Sequence, residues 1–502
     1  MTVTSNSTGS KSYGQILKST AVIGGSSIVN IGFAVVRNKG MAMLLGPEGV
    51  GLMGLYSSIA DLAQTAGGLG VQASGVRQIA EAIGTGDEQR IARTTVVLRR
   101  VSFLLGLIGA LLLATFSLPI ALLTFDDRGH ALGVALLGIV VFLRLVSAGQ
   151  TSLIQGMRKI RSLASLTMLG AFFSVVIALP MVFAFGTEGI VPALVAMAIV
   201  STLTSWWYSR QVKIAPVRLS RRDMIDETAA LLRLGAVFMA SGVLTSGAAY
   251  AVRTIVLRHD GIIAAGFYQA AWAIGGLYAG FILQAMGTDF YPRLTAVAND
   301  DAECNRLVNE QTQVSILLAG PGLLATLTFT PLVMTMFYTP EFHPAVNLLR
   351  WICLGMMLRI ISWPVGFIVI AKGAQRIFFW TEVAATLVHV GLAWLFVSTL
   401  GPIGAGMAFL GLYVWHSVLI YVLVRRLSSF RWSTANLLLG SAFLLTAVIV
   451  FILCLVLPLW TATVTGGLIT LAAGLSSLKL LLRLLPPDAL PKAIRHRLPK
   501  AA

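Results

Sequence analysis

Charge is what this chain has least of. Only 11% of its 502 residues are Asp, Glu, Lys or Arg, against roughly 25% in a soluble domain. That scarcity excludes an ordinary water-soluble fold. Acids are rarer still, 20 against 37 Lys and Arg. Three cysteines (Cys304, Cys353, Cys454) stand far apart without metal-ligand spacing, so no zinc site or disulfide framework is expected; they read as small apolar fillers. No GxxxxGK[ST] loop is present, so ATP is not expected to drive this chain directly. No cleavable signal peptide is expected either, because the first 16 residues are polar and the first apolar run continues into the rest of the chain.

What is there is apolar: 57% of the residues are hydrophobic, in recurring runs of about 20, the length that spans a bilayer core of ~30 Å. An all-α polytopic membrane protein follows. Fourteen helices are expected, at 17–45, 50–75, 101–124, 131–155, 162–185, 190–209, 234–257, 263–288, 313–338, 346–371, 377–399, 404–424, 434–457 and 460–482. The first is long enough to tilt or to run past the bilayer.

Alternate connections are basic. Arg90, Arg93, Arg99 and Arg100 share one; Arg158, Lys159 and Arg161 the next; Arg210, Lys213, Arg218, Arg221 and Arg222 a third. Lys372 and Arg376, then Arg425, Arg426 and Arg431, then Lys492, Arg495, Arg497 and Lys500 continue the pattern. The opposite connections (GPEG, FDDRGH, GTEG, HDG, TPEFHP, GPIG) hold almost no cations. By the positive-inside rule both termini are cytoplasmic. These loops also account for most of the net charge of +17, so no nucleic-acid partner is implied.

The chain repeats itself. GPEGVGLMGLY at 46–56 aligns with RHDGIIAAGFY at 258–268, and QGMRKI at 155–160 with KGAQRI at 372–377, offsets of 212 and 217. The copies share topology, which predicts two six-helix halves related by an axis along the membrane normal, a transporter design with the substrate site between them. The expected organisation is a tail at 1–16, halves at 17–209 and 234–424 joined by a loop at 210–233, two extra helices within 434–482, and a basic tail at 483–502.

LGPEGVGL at 45–52 and VIAKGAQRIFFWTEV at 369–383 resemble the Wzx-type polysaccharide flippases of the multidrug/oligosaccharidyl-lipid/polysaccharide exporter superfamily. The resemblance spans helices 1–12. The two extra helices depart from the usual twelve and resemble the fourteen-helix lipid II flippases of the same superfamily. It implies a non-enzymatic function: moving an undecaprenyl-pyrophosphate-linked oligosaccharide from the inner to the outer leaflet of a bacterial inner membrane, among membrane lipids and other polysaccharide-assembly proteins. It also places Lys39, Arg253 and Arg359 where family members carry cavity cations, and Glu382 in a family-like stretch.

The residues alone say something similar. Five cations fall within spans: Arg37, Lys39, Arg144, Arg253 and Arg359. Intramembrane charge costs about 2.5 kcal/mol or more and marks function or a wet cavity. Arg144 and Arg359 are 215 residues apart, so they are repeat mates; Lys39 and Arg253 lie seven and eight residues before Gly46 and Gly261. Cations from both halves would suit a pyrophosphate, Arg as a planar fork and Lys as a point charge. Arg37 and Lys39 cannot both face one way, being roughly 200° apart on a helix; one is free to snorkel to the interface. Two acids lie in spans, Asp61 and Glu382. Each is a candidate for ion pairing with a cavity Arg or for carrying a coupling proton or sodium ion. No other cofactor and no metal is expected. His389 reads as a hydrogen-bonded packing residue. Gly24, Gly25, Gly67, Gly68, Gly70, Gly275, Gly276 and Gly280 read as close-packing or hinge positions. Pro364 reads as a break that aims Arg359, and Trp206, Trp207 and Trp432 as interfacial belts.

Competing readings remain. A multidrug or cation antiporter would want an acidic or neutral cavity. A membrane-embedded glycan polymerase or ligase would want a long external loop, and the longest here is about seven residues. The glycan itself (O-antigen, enterobacterial common antigen, exopolysaccharide or peptidoglycan precursor) is not written in the residues.

Overall fold

A computed structural model describes residues 5–484 apart from 213, 215, 216, 218 and 286–289, without side chains at 5–28, 160, 237, 278, 279 and 281–285. Lys213, Arg218 and the tail cations Lys492, Arg495, Arg497 and Lys500 lie outside the described residues, and Gly24 and Gly25 lie where the backbone alone is described.

Sixteen α-helices follow one another: α1 (Ser5–Gly67), α2 (Val71–Thr85), α3 (Glu88–Thr115), α4 (Ser117–Phe125), α5 (Ala131–Gly156), α6 (Ile160–Phe185), α7 (Ile190–Arg210), α8 (Arg221–Ala285), α9 (Tyr291–Ala296), α10 (Asp301–Thr328), α11 (Thr330–Phe337), α12 (Ala345–Ala371), α13 (Gln375–Leu400), α14 (Ile403–Ser428), α15 (Thr434–Val456) and α16 (Leu459–Leu484). Among the described residues nine helical stretches are long and apolar enough to cross a membrane, ten if the pair α10–α11, bent by 85°, counts as one span. Two of these stretches, 161–210 and 238–277, each overlap two of the segments expected from sequence. α1, which carries Arg37, Lys39, Glu48 and Asp61, is not among these stretches.

The differences from the sequence reading sit at glycines and short breaks. The first two expected helices form one continuous run kinked at Gly46 (φ 63°), and the seventh and eighth one run kinked at Gly261 (φ 83°). Both glycines occupy the left-handed region that other residues avoid, so the halves correspond here at an offset of 215, not 212. α1 already begins at Ser5, inside the stretch expected as a polar tail. The second expected span stops at Gly67 instead of 75, and a turn with Leu69 and Gly70 at positive φ feeds the amphipathic helix α2. The connecting loop is helical from Arg221 onward. Pro364 lies inside α12, which runs unbroken through it; proline does not end the helix there.

The third span of each half is broken, at Phe116 between α3 and α4 and at Phe329 between α10 and α11. Both breaks, and both N-caps, repeat at the same spacing. The Asp87 side chain accepts from the Arg90 N–H, and the Asp300 side chain from the Glu303 N–H, each satisfying a free donor of the first turn. α8 starts on a reciprocal cap: the Ser220 N–H and hydroxyl donate to the Asp223 carboxylate and the Asp223 N–H donates back to the hydroxyl. Those bonds hold the Asp223 carboxyl below its usual range.

Each half has its own apolar centre. Leu137, Val140, Val141, Ile190 and Leu194 are buried in the first, and Leu323, Leu349, Ile352, Met356, Ile360 and Val365 in the second. The outward faces keep Leu104, Leu107, Leu111, Trp380, Trp394, Leu445 and Ile449 exposed, as a lipid-facing surface requires. α12 is the most enclosed of these nine stretches, about two thirds of its apolar centre being buried. α15 and α16 pack against α10, and α15 also against α12.

α1 and α8 form the principal contact between the halves. Beyond their kinks the two helices touch backbone to backbone. A Cβ at Gly51 would strike the Ile262 carbonyl, and one at Gly266 the Pro47 carbonyl. Small residues permit this approach where lipid supplies no hydrophobic drive. We call this the kink face, and the side bearing the arginine-rich connections the basic face. On the basic face Gly70 meets Gly235 equally closely.

Candidate functional site

The charged residues marked by sequence lie on α1, α5, α8, α12 and α13, helices that make up or adjoin the junction between halves. The structure sorts the five cations into groups, and no hydrogen bond or ion pair joins one to another.

In the first half Arg144 of α5 donates to Asp61 of α1 at 2.7 Å. The Asp61 side chain is 59% exposed and that of Arg144 27%, so this pair faces open space and not a packed core. Of the two roles open to Asp61, the geometry shows ion pairing.

Arg37 and Lys39 lie on the first arm of α1. Arg37 bonds the neighbouring Asn38 side chain, at 3.2 Å from Nη2. Lys39 Nζ donates to the carbonyl oxygens of Thr335 (2.7 Å) and Tyr338 (2.5 Å), at the end of α11.

The third group belongs to the second half. Arg253 Nε donates to the Gln269 side chain at 3.0 Å, and Nη1 to the Ala249 carbonyl at 3.1 Å. Gln269 itself abuts Gly54 of α1. The Arg253 guanidinium stands 5.9 Å from the Tyr268 ring, the start of an aromatic ladder. Tyr268 stacks on Trp272, Trp272 meets Phe409 edge-on, and Phe409 meets Tyr413, with centroids 6.0, 5.2 and 5.0 Å apart. Tyr413 in turn lies 5.7 Å from the Arg359 guanidinium, whose other neighbour is Trp363 at 4.5 Å. Aromatic faces stabilise a cation without neutralising it. Arg359 Nε is buried with no hydrogen-bond partner, as are His389 Nε2 and His416 Nδ1. Buried polar atoms without a protein partner are rare in proteins. Glu382 lies close enough to Arg359 to feel its charge, yet makes no ion pair among the described residues.

His389 is buried and packs 6.0 Å from Phe409; its Nε2 lacks the hydrogen bond expected of it. Of the expected glycine positions, Gly70 carries a positive φ and Gly275 packs on Ile352, while Gly276 and Gly280 have nothing close. Trp206 and Trp207 are exposed near the end of α7, whereas Trp432 packs on Phe430. Gln269, His416 and the ladder aromatics were invisible to a reading based on charge. Arg350 and Arg258, which lie outside the five cations marked by sequence, are also engaged: Arg350 is buried and donates to Asn347 and to the Cys454 carbonyl. Among the described residues no three His, Cys, Asp or Glu side chains are grouped to hold a metal.

Residues 41–347 match the model of a family described as polysaccharide biosynthesis protein. Asp61, Arg144 and Arg253 fall inside that segment; Arg37, Lys39, Arg359 and Glu382 fall outside. No curated protein matches the chain in sequence. Solved structures match its fold. An inward-facing multidrug-resistance MATE transporter of the MOP superfamily superposes with TM-score 0.64 at 18% identity, over 80% of this chain and 98% of that one. The lipid II flippase MurJ, inward closed, superposes with TM-score 0.64 at 14% identity, over 93% and 99%. A MOP-superfamily transporter from Pyrococcus furiosus, described by the reversed polarity of its binding pocket, gives 0.60 at 19%, over 82% and 96%. A matched segment covering more than half of the residues, carried on two repeated six-helix bundles with two further helices, identifies this chain as a multi-pass membrane protein of the polysaccharide biosynthesis family, with the fold of the MOP-superfamily transporters.

Proposed function

We propose that the chain moves an undecaprenyl-pyrophosphate-linked oligosaccharide from the cytoplasmic to the periplasmic leaflet of a bacterial inner membrane, by alternating opening of its two halves. The basic face is then cytoplasmic, as the positive-inside rule asks, and the kink face periplasmic. The observation that carries this reading is the state of Arg37, Arg253 and Arg359. They lie within spans, and none makes an ion pair with a carboxylate among the described residues. A guanidinium kept out of water without a counter-ion is expensive, and an arriving pyrophosphate would satisfy it. The prenyl tail stays in lipid while the linkage crosses low dielectric, and fixed cations offset its lost hydration. Arg144 joins them if Asp61 releases it, and Lys39 if its carbonyl contacts open.

Family membership supports a lipid-linked substrate. The pocket polarity that marks the Pyrococcus transporter is consistent with one fold serving different cargo through the sign of its lining charge. Here cations outnumber acids, which disfavours an organic-cation exporter. A lipid II flippase is the second reading, favoured by the 93% coverage against MurJ; its cargo has the same pyrophosphate chemistry. We further propose that a proton or sodium gradient is coupled through Glu382, the span acid with no ion-pair partner among the described residues.

The test is competition in proteoliposomes. Undecaprenyl pyrophosphate is expected to inhibit translocation of a lipid-linked glycan, and undecaprenol, which has the tail without the charge, is expected not to. Equal inhibition by both would show that the tail is recognised and the linkage is not.

A further inference from the structure

Arg258 has no place in the substrate reading, yet it is tightly held. It lies on the first arm of α8, three residues before the Gly261 kink. Its Nη2 donates to the carbonyls of Leu122 (2.7 Å) and Leu123 (2.6 Å), and its Nη1 lies 3.7 Å from the Asp126 carboxylate. These groups form the last turn and C-cap of α4, a nine-residue helix. Lys39 does the same from the other side. It lies on the first arm of α1, before the Gly46 kink, and grips Thr335 and Tyr338 at the end of the eight-residue α11. α4 and α11 occupy equivalent places in the two halves, each following the break in the third span. Leu122 and Thr335 correspond at an offset of 213, the same offset that relates the breaks at Phe116 and Phe329. Thus one equivalent carbonyl in each half receives a cation from the kinked helix of the opposite half.

The chemistry suits a releasable lock. The last carbonyls of a helix have no partner within it and carry the negative end of its dipole. A cation satisfies both needs. Because the short helices are broken from their parent spans, their ends reach the junction between halves. The Tyr250 hydroxyl of α8 adds a 2.6 Å bond to Thr124 of α4. The closure lies beside the backbone contacts of Gly51 with Ile262 and of Gly266 with Pro47. At Lys39 the cation rests on carbonyls alone and can be exchanged for water without leaving a bare countercharge; at Arg258 the countercharge left behind, Asp126, is 78% exposed and stays hydrated.

We propose that Lys39 and Arg258 are paired clamps that hold the kink face closed, and that both must let go before that face opens. The proposal rests on the alternating-access reading for its role in transport, but not for its test. In a background with Cys304, Cys353 and Cys454 replaced by Ala, Ser246→Cys provides a probe. Ser246 sits against Thr65 across the halves, about 22 Å along α8 from Gly261 at 1.5 Å per residue. Membrane-impermeant maleimide is applied to spheroplasts and to inverted vesicles. Lys39→Met with Arg258→Met is expected to raise labelling through the kink face by roughly tenfold, with labelling through the basic face reduced, as expected when hydrogen bonds to charged groups are lost from one state. Each single variant gives an intermediate value, and Lys39→Arg with Arg258→Lys stays near the parent. Unchanged labelling in a double variant of native elution profile overturns the proposal, and so does an equal rise through both faces, which marks a loosened fold. No lipid-linked glycan enters this assay, so a wrong substrate and a wrong clamp give separable failures.

Discussion

Arg359→Ala is expected to lower translocation of a lipid-linked oligosaccharide by roughly tenfold to a hundredfold, with normal amounts of protein in the membrane. A hydrogen bond to a charged group contributes about 1.5–3 kcal/mol, and each 1.4 kcal/mol is about tenfold in rate. Arg253→Ala is expected to do the same. The two side chains stand at the ends of one aromatic ladder, Tyr268 to Tyr413, so Arg→Lys restores only part of the activity: an ammonium keeps the charge but loses the planar fork. Arg128→Gln, in the loop between α4 and α5, is expected to leave transport near normal. Flipping measured by protection of the glycan from an external probe in proteoliposomes distinguishes these outcomes. Normal rates for both alanine variants would remove the cations from the transport route.

The second large effect concerns coupling. Asp61 is committed to Arg144 at 2.7 Å, whereas Glu382 has no ion-pair partner among the described residues and lies near Arg359. A carboxylate that gains and loses a proton, or a sodium ion, beside that guanidinium would alternately mask and expose its charge. Glu382→Gln is therefore expected to make transport indifferent to an imposed gradient and to slow it about tenfold, by loss of a charge coupling of roughly 1–3 kcal/mol. Asp61→Asn is expected to slow transport while leaving the gradient response in place. The measurement is the initial flipping rate with and without a proton or sodium gradient. Full gradient dependence in Glu382→Gln would assign coupling elsewhere.

Much of the architecture was legible because the bilayer constrains it. Apolar runs, cation-poor connections and an internal repeat each report the same physics, and they led directly to two six-helix halves with two added helices. The breaks were less legible. Nothing in the hydropathy of 17–45 and 50–75 distinguishes two helices from one kinked at Gly46, because a single left-handed glycine redirects a helix without a polar loop. Phe116 and Phe329 break their spans just before Pro119 and Pro331, residues that favour the first turn of a new helix, but the unbroken apolar run around them hid that signal. The candidate site divides in the same way. Buried charges announce themselves in an apolar sequence, and Arg144, Arg253 and Arg359 were found that way. Their partners do not: Gln269, Trp272 and Tyr413 are ordinary span residues until tertiary packing places them beside a guanidinium. The role of Arg258 was not legible, because sequence does not show which helix end lies opposite it.

The most direct measurement is translocation of a lipid-linked glycan by purified protein carrying Arg144→Ala, Arg253→Ala and Arg359→Ala together, reconstituted beside the parent chain. The account predicts no translocation above protein-free vesicles, in protein that still folds and inserts. Translocation by the triple variant at the parent rate would contradict it, because the pyrophosphate would then be crossing the membrane without these arginines.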